Sequence, residues 1–282
     1  MPFPPFVANA LASLSLPDED KERLGQLHFN NAGHGYDPFG MHPDFVALGA
    51  ALARPLYQRY FRVKSYGHEV IPDVGPAVLA ANHSGNIPID GMMIWADVLQ
   101  RTEPPRVVRA IADHFVPALP WIGTLFARSG MIGGSRGNVR AALDAGDLLL
   151  IFPEGTPGIT KPWAERYQLK RFRVGHAELA IRHGAPIVPI GVVGAEEQLP
   201  QLTTSRRLGK MFGIDAVPIP YLPIPLPVRY HLHYGAPIPV HERYTPDQAD
   251  DPTVVKAVAA EVQAAVQALL EKGLAERPGV FL

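Results

Sequence analysis

Five short apolar runs punctuate the chain: PAVLAA (76–81), PRVVRAI (105–111), DLLLIF (147–152), PIVPIGVV (186–193) and VRYHLHY (228–234). Each reads as a strand buried in a sheet. Helical patterns lie between several of them, at 88–99, 137–143 and 175–183. Such alternation predicts an α/β fold: one domain with a mostly parallel central sheet flanked by helices.

Upstream, PDFVALGAALARPLYQRYFRV (43–63) places Phe45, Leu48, Leu52, Leu56, Tyr60 and Phe61 on an apolar stripe at helical spacing. Residues 1–65 are therefore expected to form a helical arm that packs on the domain or on a membrane surface. Arg54, Arg59, Arg62 and Lys64 beside the stripe would suit an interface. Residues 66–282 form the main domain, closing with an amphipathic helix over 251–277 that packs against the body. The run 216–230, AVPIPYLPIPLPVRY, is apolar and rich in proline. It reads either as an extended loop covering a sheet edge or as the lining of an apolar, lipid-touching groove.

Composition narrows the function. The 282 residues carry a net charge of −1, which gives no reason to expect a nucleic-acid partner. With no cysteine, disulfides and thiolate chemistry are excluded. The N-terminus lacks a basic region followed by an apolar core, so no secretory signal is expected. Nor is a membrane-spanning helix, for want of a run of about 20 apolar residues.

Candidate chemistry starts at NHSGNIPID (82–90). On a continuous helix His83 and Asp90 would sit about 10 Å apart along the axis. Gly85, Asn86 and Pro88 break that helix, placing His83 on a loop after strand 76–81 and Asp90 in the first turn of the next helix. A folded-back loop would let the carboxylate hold the imidazole. In IFPEGTPG (151–158), Glu154 ends a strand beside Gly155 and Thr156. It can accept hydrogen bonds from a hydroxylated substrate that glycine allows to approach closely, or it can be a solvated turn residue. In GMIGGSRGN (130–138), Arg136 offers a guanidinium to phosphate or carboxylate, or lies at the surface while Ser135 caps the next helix. The Lys-Ser ending of a nucleotide P-loop is missing there. APIVPIGVV (185–193) reads as a buried strand with an edge-like bend at Pro189.

Taken in order, Asn-His…Asp, Gly…Arg, Phe-Pro-Glu-Gly-Thr and Ala-Pro-Ile-Val-Pro-Ile resemble the four blocks of the glycerolipid (lysophospholipid) acyltransferase family. The resemblance runs from about Ala80 to Ile190, and LKRFRVGHAELAIRHG (169–184) is similar to that family's lysine-then-glycine helix lead-in. It implies the family's fold and acyl transfer from acyl-coenzyme A or acyl carrier protein to a hydroxyl of a lysophospholipid or other glycerolipid-like acceptor. His83 would be the general base and Asp90 its orienting partner. Glu154, Gly155 and Thr156 would contact the acceptor, Arg136 its phosphate, and Ile187, Val188 and Pro189 would shape the acyl side. No metal, cofactor or covalent acyl-enzyme is implied. The thioester is a co-substrate, and a lipid acceptor implies peripheral membrane contact in the cytoplasm, on the inner face of the membrane.

The chain departs from the family pattern twice. Six residues separate His83 from Asp90 where four are usual, which implies a two-residue loop expansion that leaves the dyad intact. Pro157 follows Glu-Gly-Thr where an arginine often stands, and Gly133 and Gly134 replace bulkier residues. The acceptor is therefore open among neutral, phosphorylated and glycosylated alcohols. Two rival readings are a metal-dependent hydrolase using His83, Asp90, Asp113 and His114, and a non-catalytic lipid-binding module of the same fold. The hydrolase reading lacks a helical His-x-x-x-His spacing.

Overall fold

A computed structural model describes residues 4–84, 88–112, 116, 121–211 and 217–282. Helices α1 (Pro5–Ser15), α2 (Asp18–Gly25) and α3 (Pro43–Pro55) open the chain. At the start of α3, the His42 ring accepts a hydrogen bond from the Asp44 N–H. Beyond Pro55 the helix widens into a π-helical turn over Leu56–Tyr60, because proline supplies no amide to continue the ladder. There follow β1 (Lys64–Tyr66), β2 (Ala77–Ala81), α4 (Ile89–Arg101), β3 (Val108–Ala112), α5 (Ile122–Arg128), β4 (Ile132–Gly133), α6 (Arg136–Asp144) and β5 (Leu148–Ile151). The remainder is α7 (Thr156–Ile159), α8 (Gly175–Arg182), β6 (Ile187–Val193), β7 (Gln201–Ser205), α9 (Arg206–Met211), β8 (Val217–Pro220), β9 (His231–Tyr234), α10 (Val240–Arg243) and α11 (Pro252–Glu276).

Seven strands make the central sheet in the order β1-β9-β6-β2-β5-β3-β4. Every pairing is parallel except that of β6 with β9. Strand residues alternate between two cores. Leu79, Leu148, Leu150, Val188 and Ile190 join the core beneath α3 and α4. Val78, Leu149, Ile187 and Val193 join the one beneath α6, α8 and α11. Burial on both faces is why these strands read as unbroken apolar runs. The expected α/β architecture, with helices on both faces of a mostly parallel sheet, is the one observed.

Several local expectations change. Pro189 sits inside a central strand, not at an edge bend. Its carbonyl accepts from the Gly235 N–H, just past the end of β9. One residue's carbonyl and nitrogen face the same side of a strand, so the missing donor faces the short stretch between Tyr234, where β9 ends, and Ile238, where the chain bridges β6 again at Ile187. Most of the apolar stripe of 43–63 turns inward: Phe45 and Leu48 are buried with Ala8 of α1, Phe61 is buried in the sheet's own core beside Val46, Ala53 and Tyr57, and Leu52 alone of the six stays exposed. The arm is thus integral to the domain, and the boundary at 65/66 falls within β1. Part of 216–230 forms β8, which pairs with β7 in a separate two-stranded hairpin. α11 is long and apolar enough to cross a bilayer by length and composition, yet its Val258, Val262, Val266 and Leu270 are buried in the core shared with β6.

Among the described residues three histidines are buried: His176 on α8, and His231 and His233 on β9. Gly273 of α11 lets the helix close on His233, where an added Cβ would meet the ring at 2.7 Å. Burial lowers all three from their ordinary value of 6.5, taking His176 and His231 to about 4. The folded state therefore keeps neutral rings where the unfolded chain takes up protons. The histidine contribution to stability is full above about pH 6.5 and is lost as the pH falls toward about 4. Urea unfolding followed by circular dichroism is expected to give a lower midpoint near pH ~5 than near pH ~7. A midpoint that rises on acidification would contradict this burial.

Candidate active site

β2, β5 and β6 deliver their loops to the same carboxyl end of the sheet. The crossover from β2 runs through α4 and that from β5 through α8, on opposite faces, which is the topology at which open α/β sheets place ligand sites. Asn82 fixes the first loop. Buried at the end of β2, its side chain accepts from the Val192 N–H at 2.7 Å and donates to the Val192 carbonyl at 3.1 Å. The amide thereby extends the β2–β6 pairing by one rung and sets the direction in which His83 leaves the sheet.

His83 then meets Asp90 across the bend. The imidazole Nδ1 lies 2.7 Å from Asp90 Oδ2. Asp90 is completely buried at the start of α4, and no Lys or Arg forms an ion pair with it among the described residues. Its Oδ2 also accepts from the Ser84 N–H (2.9 Å) and hydroxyl (3.3 Å), while Oδ1 accepts from the Gly91 N–H (2.7 Å). An ionised carboxylate only accepts, so Nδ1 must donate, and the lone pair falls on Nε2. That ring edge is partly open to solvent: the His83 side chain is 19% exposed. Its face stacks on Phe152, centroids 4.1 Å apart, and Gly91 leaves room for the Phe152 ring.

Glu154 holds the loop from beneath. One oxygen accepts from the His83 backbone N–H at 3.0 Å and the other from the Lys170 N–H at 2.8 Å. Buried Lys161 bridges it to Glu196, at 3.2 and 2.9 Å. Burial raises the Glu196 carboxyl above its ordinary value, against the pull of Lys161. Gly155 has φ 60° and ψ −150°, a region open in practice to glycine alone. The Arg173 guanidinium lies against it, 3.0 Å from where a Cβ would stand. Pro157 sits in the first turn of α7, where proline is at home. Gly158 backs directly onto His83, since an added Cβ would fall 3.1 Å from the histidine's own.

The structure thus brings His83, Asp90, Glu154 and Gly155 together and adds Thr156 at the head of α7. Glu154 faces inward, with both oxygens engaged by protein donors, so it shapes the His83 loop instead of offering itself to an acceptor. Arg136 stands apart. It begins α6 behind the capping hydroxyl of Ser135, and its side chain is 92% exposed, nearest to Glu178 at 3.9 Å. Around it lies a surface cavity of about 330 Å³, shared with Arg182, Asp250 and Lys256, that none of the dyad residues lines. Ile187, Val188 and Pro189 are covered by the core on all sides and present no surface to an acyl chain. Asp113 and His114 lie outside the described residues, among which no group of three His, Asp or Glu side chains is placed to hold a metal ion. Lys161 and Arg173 escape a reading by motif, because each acts through a neighbour distant in sequence.

A family model described as "Acyltransferase" matches residues 62–193, from the start of the sheet to the end of β6. The chain is 35% identical over 261 residues to the uncharacterized protein Rv0502 of Mycobacterium tuberculosis, covering 88% of this chain and 72% of that one. It is 30% identical over 208 residues to a Bos taurus protein named "DGAT1/2-independent enzyme synthesizing storage lipids", covering 73% and 58% respectively. In fold it resembles the crystal structure of the 1-acyl-sn-glycerophosphate acyltransferase PlsC of Thermotoga maritima. That match has a TM-score of 0.58 at 16% identity and covers 97% of this chain and 90% of PlsC.

The buried charge group under the loop generates a stability prediction. Lys161→Met leaves two buried carboxylates without their cation and is expected to cost about 3–5 kcal/mol of unfolding free energy. Removing Glu154 as well, in Glu154→Gln/Lys161→Met, is expected to cost less than the sum of the single changes. Urea midpoints of the three variants measure this, and an unchanged midpoint for Lys161→Met would contradict the pairing.

Proposed function

The chain belongs to the acyltransferase family, and from that premise we propose that it transfers a fatty acyl group from a thioester to a hydroxyl of a glycerolipid-like acceptor. The donor is acyl-coenzyme A or acyl-acyl carrier protein. The acceptor is a lysophospholipid or another glycerolipid alcohol, met at the cytoplasmic surface of a membrane. The observation that carries this reading is the 2.7 Å contact between His83 Nδ1 and buried Asp90, which leaves Nε2 as the base.

In this mechanism Nε2 removes the proton of the acceptor hydroxyl as its oxygen attacks the thioester carbonyl carbon. A new C–O bond forms and the carbonyl oxygen becomes an oxyanion. Collapse breaks the C–S bond, and the departing sulfur takes the proton back from Nε2, giving ester and free thiol. Asp90 offsets the charge on the imidazolium while the proton is held there. Glu154 keeps the His83 backbone in place, and Phe152 fixes the plane of the ring, so the base waits in its working orientation. If the acceptor carries a phosphate, Arg173 on the Gly155 loop suits it better than Arg136. The Arg173 guanidinium has no hydrogen bond or ion pair among the described residues, and it adjoins the loop that holds His83.

Purified protein supplied with labelled acyl-coenzyme A and a panel of lysolipids and neutral glycerides tests the reading. His83→Ala is expected to lower kcat by about 10²–10⁴-fold. Asp90→Asn is expected to lower kcat with little change in KM, since it disturbs a tautomer and not a binding surface. Undiminished turnover by His83→Ala would refute the mechanism. Lipid binding without turnover by the wild type would favour the lipid-binding module.

A further inference from the structure

The β7–β8 hairpin and α9 stand away from the two cores. β7 is open to solvent over most of its length, with Leu202, Thr203 and Thr204 all exposed although they alternate between its faces. A two-stranded sheet is marginal in water unless something packs on it. This one nevertheless carries large apolar side chains outward: Leu202 and Leu208 on the hairpin and α9, Tyr221 and Ile224 just after β8. Arg206, Arg207 and Lys210 on α9 are exposed beside them and form no ion pair among the described residues. From 201 to 225 the sequence holds these three cations against one acid, Asp215.

The hairpin is tied to the active-site loop. Gln201 at its base donates through Nε2 to the Ile159 carbonyl at the end of α7, at 2.6 Å. Gln201 also lines a small cavity with Gly158, Lys161, Trp163 and Leu199, and Gly158 backs onto His83. Whatever seats the hairpin therefore also sets what faces the cavity beside the dyad.

We propose that the β7–β8 hairpin with α9 is the docking element by which this chain seats its His83 site on an anionic bilayer. The proposal names the surface at which the reading above has the enzyme meet its lipid. Apolar side chains interleaved with unpaired cations are what an interface of acyl chains and anionic headgroups binds. A second exposed apolar patch, Phe6 and Leu14 on α1, lacks the matching charge, because α2 follows it with exposed Asp18, Glu19 and Glu22. Charge complementarity selects the hairpin.

Co-sedimentation with vesicles of equal parts phosphatidylcholine and phosphatidylglycerol, and with pure phosphatidylcholine, tests the proposal. The wild type is expected to partition onto the anionic vesicles and much less onto the neutral ones. Arg206→Gln/Arg207→Gln is expected to reduce that partitioning roughly 25-fold, at about fivefold per cation near the surface. Tyr221→Ser/Ile224→Ser is expected to reduce it on both vesicle types, whereas Phe6→Ser/Leu14→Ser leaves it unchanged. His83→Ala is expected to bind vesicles like the wild type, so a failed acyl-transfer assay and a failed docking surface are told apart. Turnover of a short-chain, water-soluble acceptor by the arginine variant should match the wild type, which separates docking from misfolding. Absence of wild-type binding, equal binding to neutral vesicles, or full binding by the hairpin variants would overturn the proposal.

Discussion

A carboxylate buried without a cation must be satisfied by hydrogen bonds or give up its charge. Asp90 meets that demand with the two N–H groups of Ser84 and Gly91, the Ser84 hydroxyl, and the Nδ1–H of His83. The same contacts orient the imidazole. Because Ser84 donates both main-chain and side-chain hydrogens to Asp90, the chain after His83 is bound to the start of α4. The residues that precede His83 are bound to β6 through Asn82. The histidine is thus pinned from both directions, and the partly exposed Nε2 is the edge left for chemistry.

The parallel sheet supplies the frame for that arrangement. β2 ends in the dyad loop, β5 in Glu154, and β6 leads into Glu196, so three loops converge at one end of three adjacent strands. Glu154 and Glu196 share Lys161, which cross-links the loops beneath His83. The cost of holding three charges out of water is offset by mutual pairing and by the backbone donors of His83, Lys170 and Tyr167. The β7–β8 hairpin follows β6, carries exposed apolar and cationic side chains, and is tied to the end of α7 by Gln201.

Much of this frame was legible in the chain. The five apolar runs correspond to β2, β3, β5, β6 and β9; the stripe at 251–277 is α11, and that at 43–63 is α3 with a π-helical turn to Tyr60, its last three residues not helical. Gly85, Asn86 and Pro88 argue in the sequence against a continuous helix from His83 to Asp90, and the 2.7 Å contact agrees with that, closing despite the two additional residues. Other features had no local signal. β1 and β4 are only three and two residues long and owe their pairing to neighbours already in the sheet. The antiparallel direction of β9 depends on the path of the preceding chain, which periodicity does not encode. The inward turn of Glu154 is decided by Lys161 and by main-chain donors, none of which a motif displays. The roles expected of Arg136 and of the 187–189 triplet rest on the family resemblance, and the packing of α6 and β6 puts one at the surface and the other in the core.

The central claim is that Asp90 fixes His83 as the Nδ1–H tautomer with a free lone pair on Nε2. Nitrogen-15 NMR of the protein labelled at histidine, with His83 assigned by its loss in His83→Gln, measures the protonation of each ring nitrogen directly. Near neutral pH the account predicts a protonated Nδ1 and an unprotonated Nε2 at His83, with that preference lost in Asp90→Asn. A His83 ring protonated on Nε2 alone, or one indifferent to Asp90→Asn, would contradict it.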